Sequence, residues 1–265
     1  MGFSPLYNFP IWIPALIFIV MLSIALESGY RVGLKRRESW KEADSGGGAV
    51  VLTSMFALMG LVMAFTYASG VSRYDARKNA VTIEANALGT AFLRADLVAE
   101  PGRTELKTIL LDYARTRYIP QGSVRSDADR KETLQRTVRA QVKIWPTTKH
   151  IIDQGTPGPI ASSLVAAING VLDAHTIRLV AIFDKLPKVV MWMLVFISAA
   201  SLGVAGYNAG IQGRMSRWRM TAFALVLSGL MIVILDFDRP NDGLVTVNQY
   251  SINSVIEHME ADLGQ

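Results

Sequence analysis

Charged residues gather in this chain at two places where they could act on ions. The first is the run SRYDARK, in which Arg73, Asp75, Arg77 and Lys78 follow directly on an apolar stretch. Arg73 and Arg77 stand four apart and share a helix face, whereas Asp75 does not face Arg73. Two readings stand: an interfacial anchor with local ion pairs, or, if copies of the chain form a ring, a positive collar favouring anions. The second place is DFDRPND, with Asp236, Asp238 and Asp242. Carboxylates at this density bind calcium through oxygen ligands, or else close a helix end beside Arg239. Calcium is the one cofactor the residues suggest, yet Val247 stands where an EF-hand loop would need its closing Glu.

Between these places lies the triplet Glu84, Ala85, Asn86, followed by Arg94. A half-buried Glu84 needs a partner, for which Arg94 and Arg178 are candidates; the alternative is a ligand role for Glu84, Asn86, Asp75 and Arg94. His150, His175 and His258 are scattered without metal-ligand spacing, and His175, close to Asp173, reads as a polar-face residue. No Gly-rich phosphate loop, G-x-S-x-G or H-E-x-x-H occurs, so no enzyme class fits. The absence of cysteine excludes disulfide and thiolate chemistry.

The elements that must position these residues are membrane spans. The chain is 51% hydrophobic and 18% charged, with a mean hydropathy of +0.28. That composition belongs to membrane proteins. The excess is carried by Ile11–Leu26, Ala49–Gly70, Val189–Tyr207 and Met220–Leu235. A hydrocarbon core of roughly 30 Å needs about 20 helical residues. The second and third stretches meet that, and the shorter first and fourth use Trp12, Tyr30, Arg219 and Asp236 at their ends. The first stretch lacks a basic flank and a cleavage pattern, and is read as a retained span rather than a signal peptide. The net charge of +5 is modest and no dense basic tract points to nucleic acid.

The expected division is a first span with its tail at 1–30, a basic loop at 31–48, a second span at 49–70 and a water-exposed helical domain at 71–188. A third span follows at 189–207, a basic loop at 208–219, a fourth span at 220–236 and a C-terminal tail at 237–265. Three glycines, Gly46 to Gly48, are expected to break the chain ahead of the second span. Within the domain, Val71, Tyr74, Val81, Ala85, Leu88 and Phe92 continue the second span as one amphipathic helix, ended by Pro101 and Gly102. A second helix presents Leu106, Ile109, Leu110 and Tyr113. A third presents Leu134, Val138, Val142 and Trp145 and is kinked or ended by Pro146. A fourth begins near Ile160 and carries Leu164, Ile168, Val171 and Leu172. GLVTVNQ, after the fourth span, is the one candidate strand. Lys and Arg near the span ends number eight on the loop side and seven on the domain side, so charge does not orient the chain. Parity puts both termini and the domain on one side.

The run FALMGLVMAFTYASGVSRYDARKNAVTIEANALGTAFLRADL, with DAHTIRLVAIFDKLP and LDFDRPNDGLVTV, resembles the bacterial bestrophin-like domain family. The resemblance implies a four-span membrane protein distantly related to bestrophin anion channels, which are pentamers with a pore along the second span and an acidic calcium site after the last. On that footing the chain is expected to be an all-α membrane protein of the bacterial inner membrane, with a helical bundle between spans two and three. It would be a homo-oligomeric channel for anions or small monovalent ions. Phe56, Met59 and Met63, with Phe65, are the candidates for an apolar constriction, and Arg73 and Arg77 for the pathway mouth. The small residues Ala57, Gly60, Ala64 and Ala68 read as a packing stripe inside one subunit. The alternative is a non-transporting sensor or scaffold that signals through its helical domain.

Overall fold

The computed structural model describes residues 12–37, 45–120, 127–239 and 244–264. Among these the regular structure is wholly helical: α1 Trp12–Arg36, α2 Ser45–Ala95, α3 Gly102–Arg117, α4 Asp127–Asp153, α5 Gly158–Phe183, α6 Lys188–Gln212, α7 Arg217–Phe237 and α8 Tyr250–Leu263. Four helical stretches are long and apolar enough to cross a membrane, and they contain α1, the first half of α2, α6 and α7. The chain is an all-α membrane protein with a helical domain between its second and third spans. It divides into two compact units, one from Met1–Ser72 and Lys185–Arg239, the other from Arg73–Asp184 and Pro240–Gln265.

In the membrane unit the most extensive helix pair is α1 with α6. Without a hydrophobic drive between helices in lipid, close association depends on packing, and small residues permit it. Gly29 and Gly33 on α1 meet Gly206 and Gly210 on α6 with no room between the backbones. A Cβ at Gly206 would collide with the carbonyl of Leu26, and one at Gly29 with that of Gly203. Beside this seam Phe18, Leu22, Leu194, Leu202, Leu227 and Ile234 form a buried core. Gly213 closes α6 in the left-handed conformation, its N–H donating to the last carbonyls.

Several expected boundaries shift because polar residues continue the helices. Arg31, Lys35 and Arg36 belong to the end of α1, where cations suit the negative helix terminus. The three glycines do not break the chain: they lie in the first turn of α2, whose start is held by Asn208, donating from Nδ2 to the Gly48 carbonyl at 3.1 Å.

The second unit is a bundle around Val81, Ala85, Leu88 and Phe92 of α2, as the stripe predicts. Leu106 and Leu110 of α3, Ile144 and Ile151 of α4, and Leu164, Ile168 and Val171 of α5 join them. Two expectations fail here and a third is narrowed: helix α4 runs through Pro146, so of a kink or an end the end is excluded. Its buried face is Thr137, Ile144, Thr148 and Ile151, whereas Val138, Val142 and Trp145 are 40%, 59% and 42% exposed. The segment after the fourth span is no tail: α8 buries Ile252, Ile256 and Met259 in this core, and Leu244–Gln249 ahead of it forms no strand.

Adding a methyl where two backbones already touch forces them apart. Gly206→Ala is therefore expected to cost about 1–3 kcal/mol, read as a lower unfolding midpoint in detergent. Gly60→Ala, whose new carbon meets nothing within 4 Å, serves as the control that leaves the midpoint unchanged.

Candidate functional site

Helix α2 has two unlike sides within the membrane unit. Met59 and Met63 are buried in that unit's core, and half-buried Phe56 packs edge-on against Phe223 at 5.2 Å between ring centroids. With Leu52, Tyr67, Leu227 and Leu230 they border a groove of about 630 Å³ between α2 and α7, almost purely apolar. These three constriction candidates therefore point away from the open side of α2. That side carries Ala57, Leu61, Phe65 and Ala68, all exposed, while Gly60 and Ala64, exposed rather than packed inside the chain, sit at the rim where it meets the groove they help to line. Only 11% of the apolar window of α2 is buried, against 22% for α1 and 33% for each of the windows in the stretches holding α6 and α7.

Beyond the membrane the two arginines of SRYDARK turn inward. Arg73 pairs with Asp184 at 3.2 Å, and buried Arg77 donates from Nε to the Ala181 carbonyl at 3.2 Å. Both partners lie at the C-terminal end of α5, where unsatisfied carbonyls and the helix dipole attract cations. An open collar of Arg73 and Arg77 is thus not available on the surface of α2. The exposed polar residues there include Asp75, Lys78, Asn79, Thr82, Asn86 and Thr90, with Ala76 and Ile83 exposed among them.

Glu84 is the most deeply buried charge of the second unit, with no accessible surface. Its Oε2 accepts from Nη1 of Arg178 at 2.7 Å, and its Oε1 lies 2.7 Å from Nε of Arg117. Tyr113 donates its hydroxyl proton to Oε1 at 2.5 Å. That hydroxyl then has only its lone pairs to offer His175, whose Nδ1 at 3.0 Å must carry the hydrogen. Arg178 also donates from Nη2 to the last carbonyl of α3, at Arg117, and to Gln249 ahead of α8. One carboxylate on α2 thereby ties α3, α5 and the approach to α8.

Electrostatics follows from this geometry. Burial raises the pKa of Glu84, but Arg117, Arg178 and the Tyr113 hydroxyl outweigh it and hold the carboxyl below its usual value. Burial and then the Glu84 charge push Tyr113 up, so it stays a donor. Burial and the positive charge of Arg117 push His175 down, so it stays neutral. The expected partner Arg178 is the right one. Arg94 instead donates to the Ser163 carbonyl at 2.6 Å, and Asn86 is exposed. Tyr113 is buried as its stripe predicts, His175 is buried rather than on a polar face, and Arg117 was not anticipated; Tyr113 and Arg117 at i,i+4, and His175 and Arg178 at i,i+3, are the spacings that could have shown the cluster.

A second anchor repeats the logic in reverse. Buried Lys107 of α3 lies between Asp96 and Asp262, the latter at 2.7 Å, and 4.6 Å above the Phe92 ring. Arg115 pairs with Glu260 at 2.9 Å, so Glu260 and Asp262 of α8 both face α3. The acidic cluster after the fourth span divides differently. Asp236 and Asp238 are buried, and Asp238 accepts the Leu186 N–H at 2.8 Å, fixing the chain as it enters α6. Asp242 lies outside the described residues. Among the described residues no three acidic or histidine side chains gather as a metal group.

Removing Glu84 leaves two buried guanidinium groups facing each other. Glu84→Ala is expected to destabilise the domain by about 3–5 kcal/mol, measured by denaturant unfolding. The pH dependence has a definite sign. Below 6.5 an unfolded His175 takes a proton that the native one refuses, so stability falls on acidification. Below 4.5 the unfolded Glu84 does the same and a second loss sets in. His175→Gln should flatten the first decline and leave the second in place.

No curated protein matches the chain in sequence. Solved structures do match in fold. A variant of a bacterial bestrophin homolog from Klebsiella pneumoniae superposes with a TM-score of 0.66 at 8% identity, over 97% of this chain and 99% of that one. A second structure of that homolog gives 0.64 at 11% identity, over 97% and 99%. At such identities the likeness is one of fold. The sequence itself matches the Bestrophin-like domain model from residue 13 to residue 252, and the chain belongs to that family.

Proposed function

We propose that this protein is the subunit of a homo-oligomeric channel for small monovalent ions in the bacterial inner membrane, with α2 around the conducting axis. The observation that carries this reading is one exposed stripe on α2. Ala57, Leu61, Ala64, Ala68 and Ser72 follow one another in steps of three and four, and Asp75, Asn79, Thr82, Asn86 and Thr90 continue the same register. Small residues in the membrane followed by short polar ones in water suit a narrow hydrated path. The low burial of α2 within the chain and the exposed Val138, Val142 and Trp145 of α4 supply apolar area for neighbouring copies to cover.

On this reading Leu61, flanked by Phe65, is the apolar constriction that gates by dewetting, in place of Phe56, Met59 and Met63. Asp75 stands at the centre of the water-side stripe with Lys78 at its margin. Since Arg73 and Arg77 are engaged by α5, a ring of Asp75 carboxylates would gather cations rather than anions. No catalytic role is proposed.

Purified protein in planar bilayers is expected to conduct, with Asp75→Asn lowering the cation-to-anion permeability ratio and Leu61→Ala raising the open probability. Silent bilayers from intact oligomers would count for the second reading, a sensor or scaffold. The 51-residue length of α2 favours that reading, because a helix shared by the membrane unit and the second unit is the kind of element that carries a piston or rotation out of a membrane.

A further inference from the structure

The groove between α2 and α7 is bordered by Phe56, Met59 and Met63 on one helix and Phe223, Leu227 and Leu230 on the other. Its volume, about 630 Å³, lies within the roughly 300–1,000 Å³ of small-molecule sites. An apolar groove in a membrane-spanning unit has hydrocarbon as its natural filling.

The end of the groove narrows the choice of occupant. Its first α7 residue is Met220, and just ahead of it Arg217 and Arg219 are exposed, one helical turn before Met220 and Phe223 respectively. Neither forms an ion pair among the described residues. The first turn of α7 contains no acidic residue, and Ser216 makes no side-chain cap to its free N–H groups. Helix N-termini of this kind favour anions. Trp218, 78% exposed, is of the type that anchors at the headgroup level. Apolar length and positive end occur at one place.

We infer that this groove is a binding site for an anionic phospholipid, its acyl chain lying along the apolar wall that the Phe56–Phe223 pair forms and its phosphate against Arg217 and Arg219. The inference does not rest on the channel reading: a lipid seated here would bind a scaffold as well.

The test uses the full chain in nanodiscs containing phosphatidylglycerol or phosphatidylcholine photoprobes with a diazirine on the acyl chain, and maps labelled peptides by mass spectrometry. Labelling of 52–67 and 220–230, several-fold stronger with the phosphatidylglycerol probe, is expected. Arg217→Gln with Arg219→Gln should abolish that headgroup preference while the oligomer stays intact. Gly60→Leu, which projects into open space at the groove, should block labelling by both probes. Equal labelling by the two probes in the unaltered protein would overturn the assignment of an anionic headgroup. No labelling of the groove would overturn the site altogether. So would disulfide formation between copies carrying Phe56→Cys or Leu230→Cys, which would mean that a second copy covers it.

Discussion

The burial of Glu84 between Arg117 and Arg178 is the constraint from which the arrangement of the second unit follows. A carboxylate without solvent is tolerable only if its lone pairs are filled, and here a guanidinium from α3, one from α5 and the Tyr113 hydroxyl fill them. Apolar packing alone would let these helices slide in register, since any Leu or Ile of the core accepts many neighbours. Charged hydrogen bonds do not slide. They fix α3 and α5 about one point on α2, and Gln249 brings in the approach to α8.

The membrane unit is held by the opposite means. Where no water is available to be displaced, α1 and α6 come together through glycines, backbone against backbone. Helix α2 begins in that unit and continues into the second, but most of its membrane half stays uncovered by its own chain. A helix gripped firmly by Glu84 at one end and left open along its span is suited to meet copies of itself. That contrast is the physical basis for placing the stripe from Ala57 to Thr90 about an axis.

Much of this was legible in the residues. Span positions follow from hydropathy because the bilayer imposes length and apolarity alike, and the stripe of Val81, Ala85, Leu88 and Phe92 identified the core face of α2. Other features were hidden for identifiable reasons. In α4 three apolar residues, Val138, Val142 and Trp145, lie on the exposed face, while Thr137 and Thr148 sit inside beside Ile144 and Ile151 with their hydroxyls bonded to carbonyls one turn back. Apolar periodicity misreads such a helix. In the expected tail, Ile252, Ile256 and Met259 form the buried stripe of α8, and the neighbouring acids Glu260 and Asp262 are met by Arg115 and Lys107. Arg73 and Arg77 illustrate a third difficulty: a charge beside a membrane can face a pathway or close a neighbouring helix, and only the position of α5 distinguishes the two.

The central claim, that the small and polar stripe of α2 faces a water-filled path, is open to direct measurement because the chain has no cysteine of its own. Single cysteines placed in turn from 56 to 68 can be tested in membranes with a charged, water-soluble thiol reagent. The account predicts reaction at 57, 61, 64 and 68, with protection at 56, 59 and 63. Protection throughout, or reaction at 59 and 63 in place of 57 and 64, would contradict it.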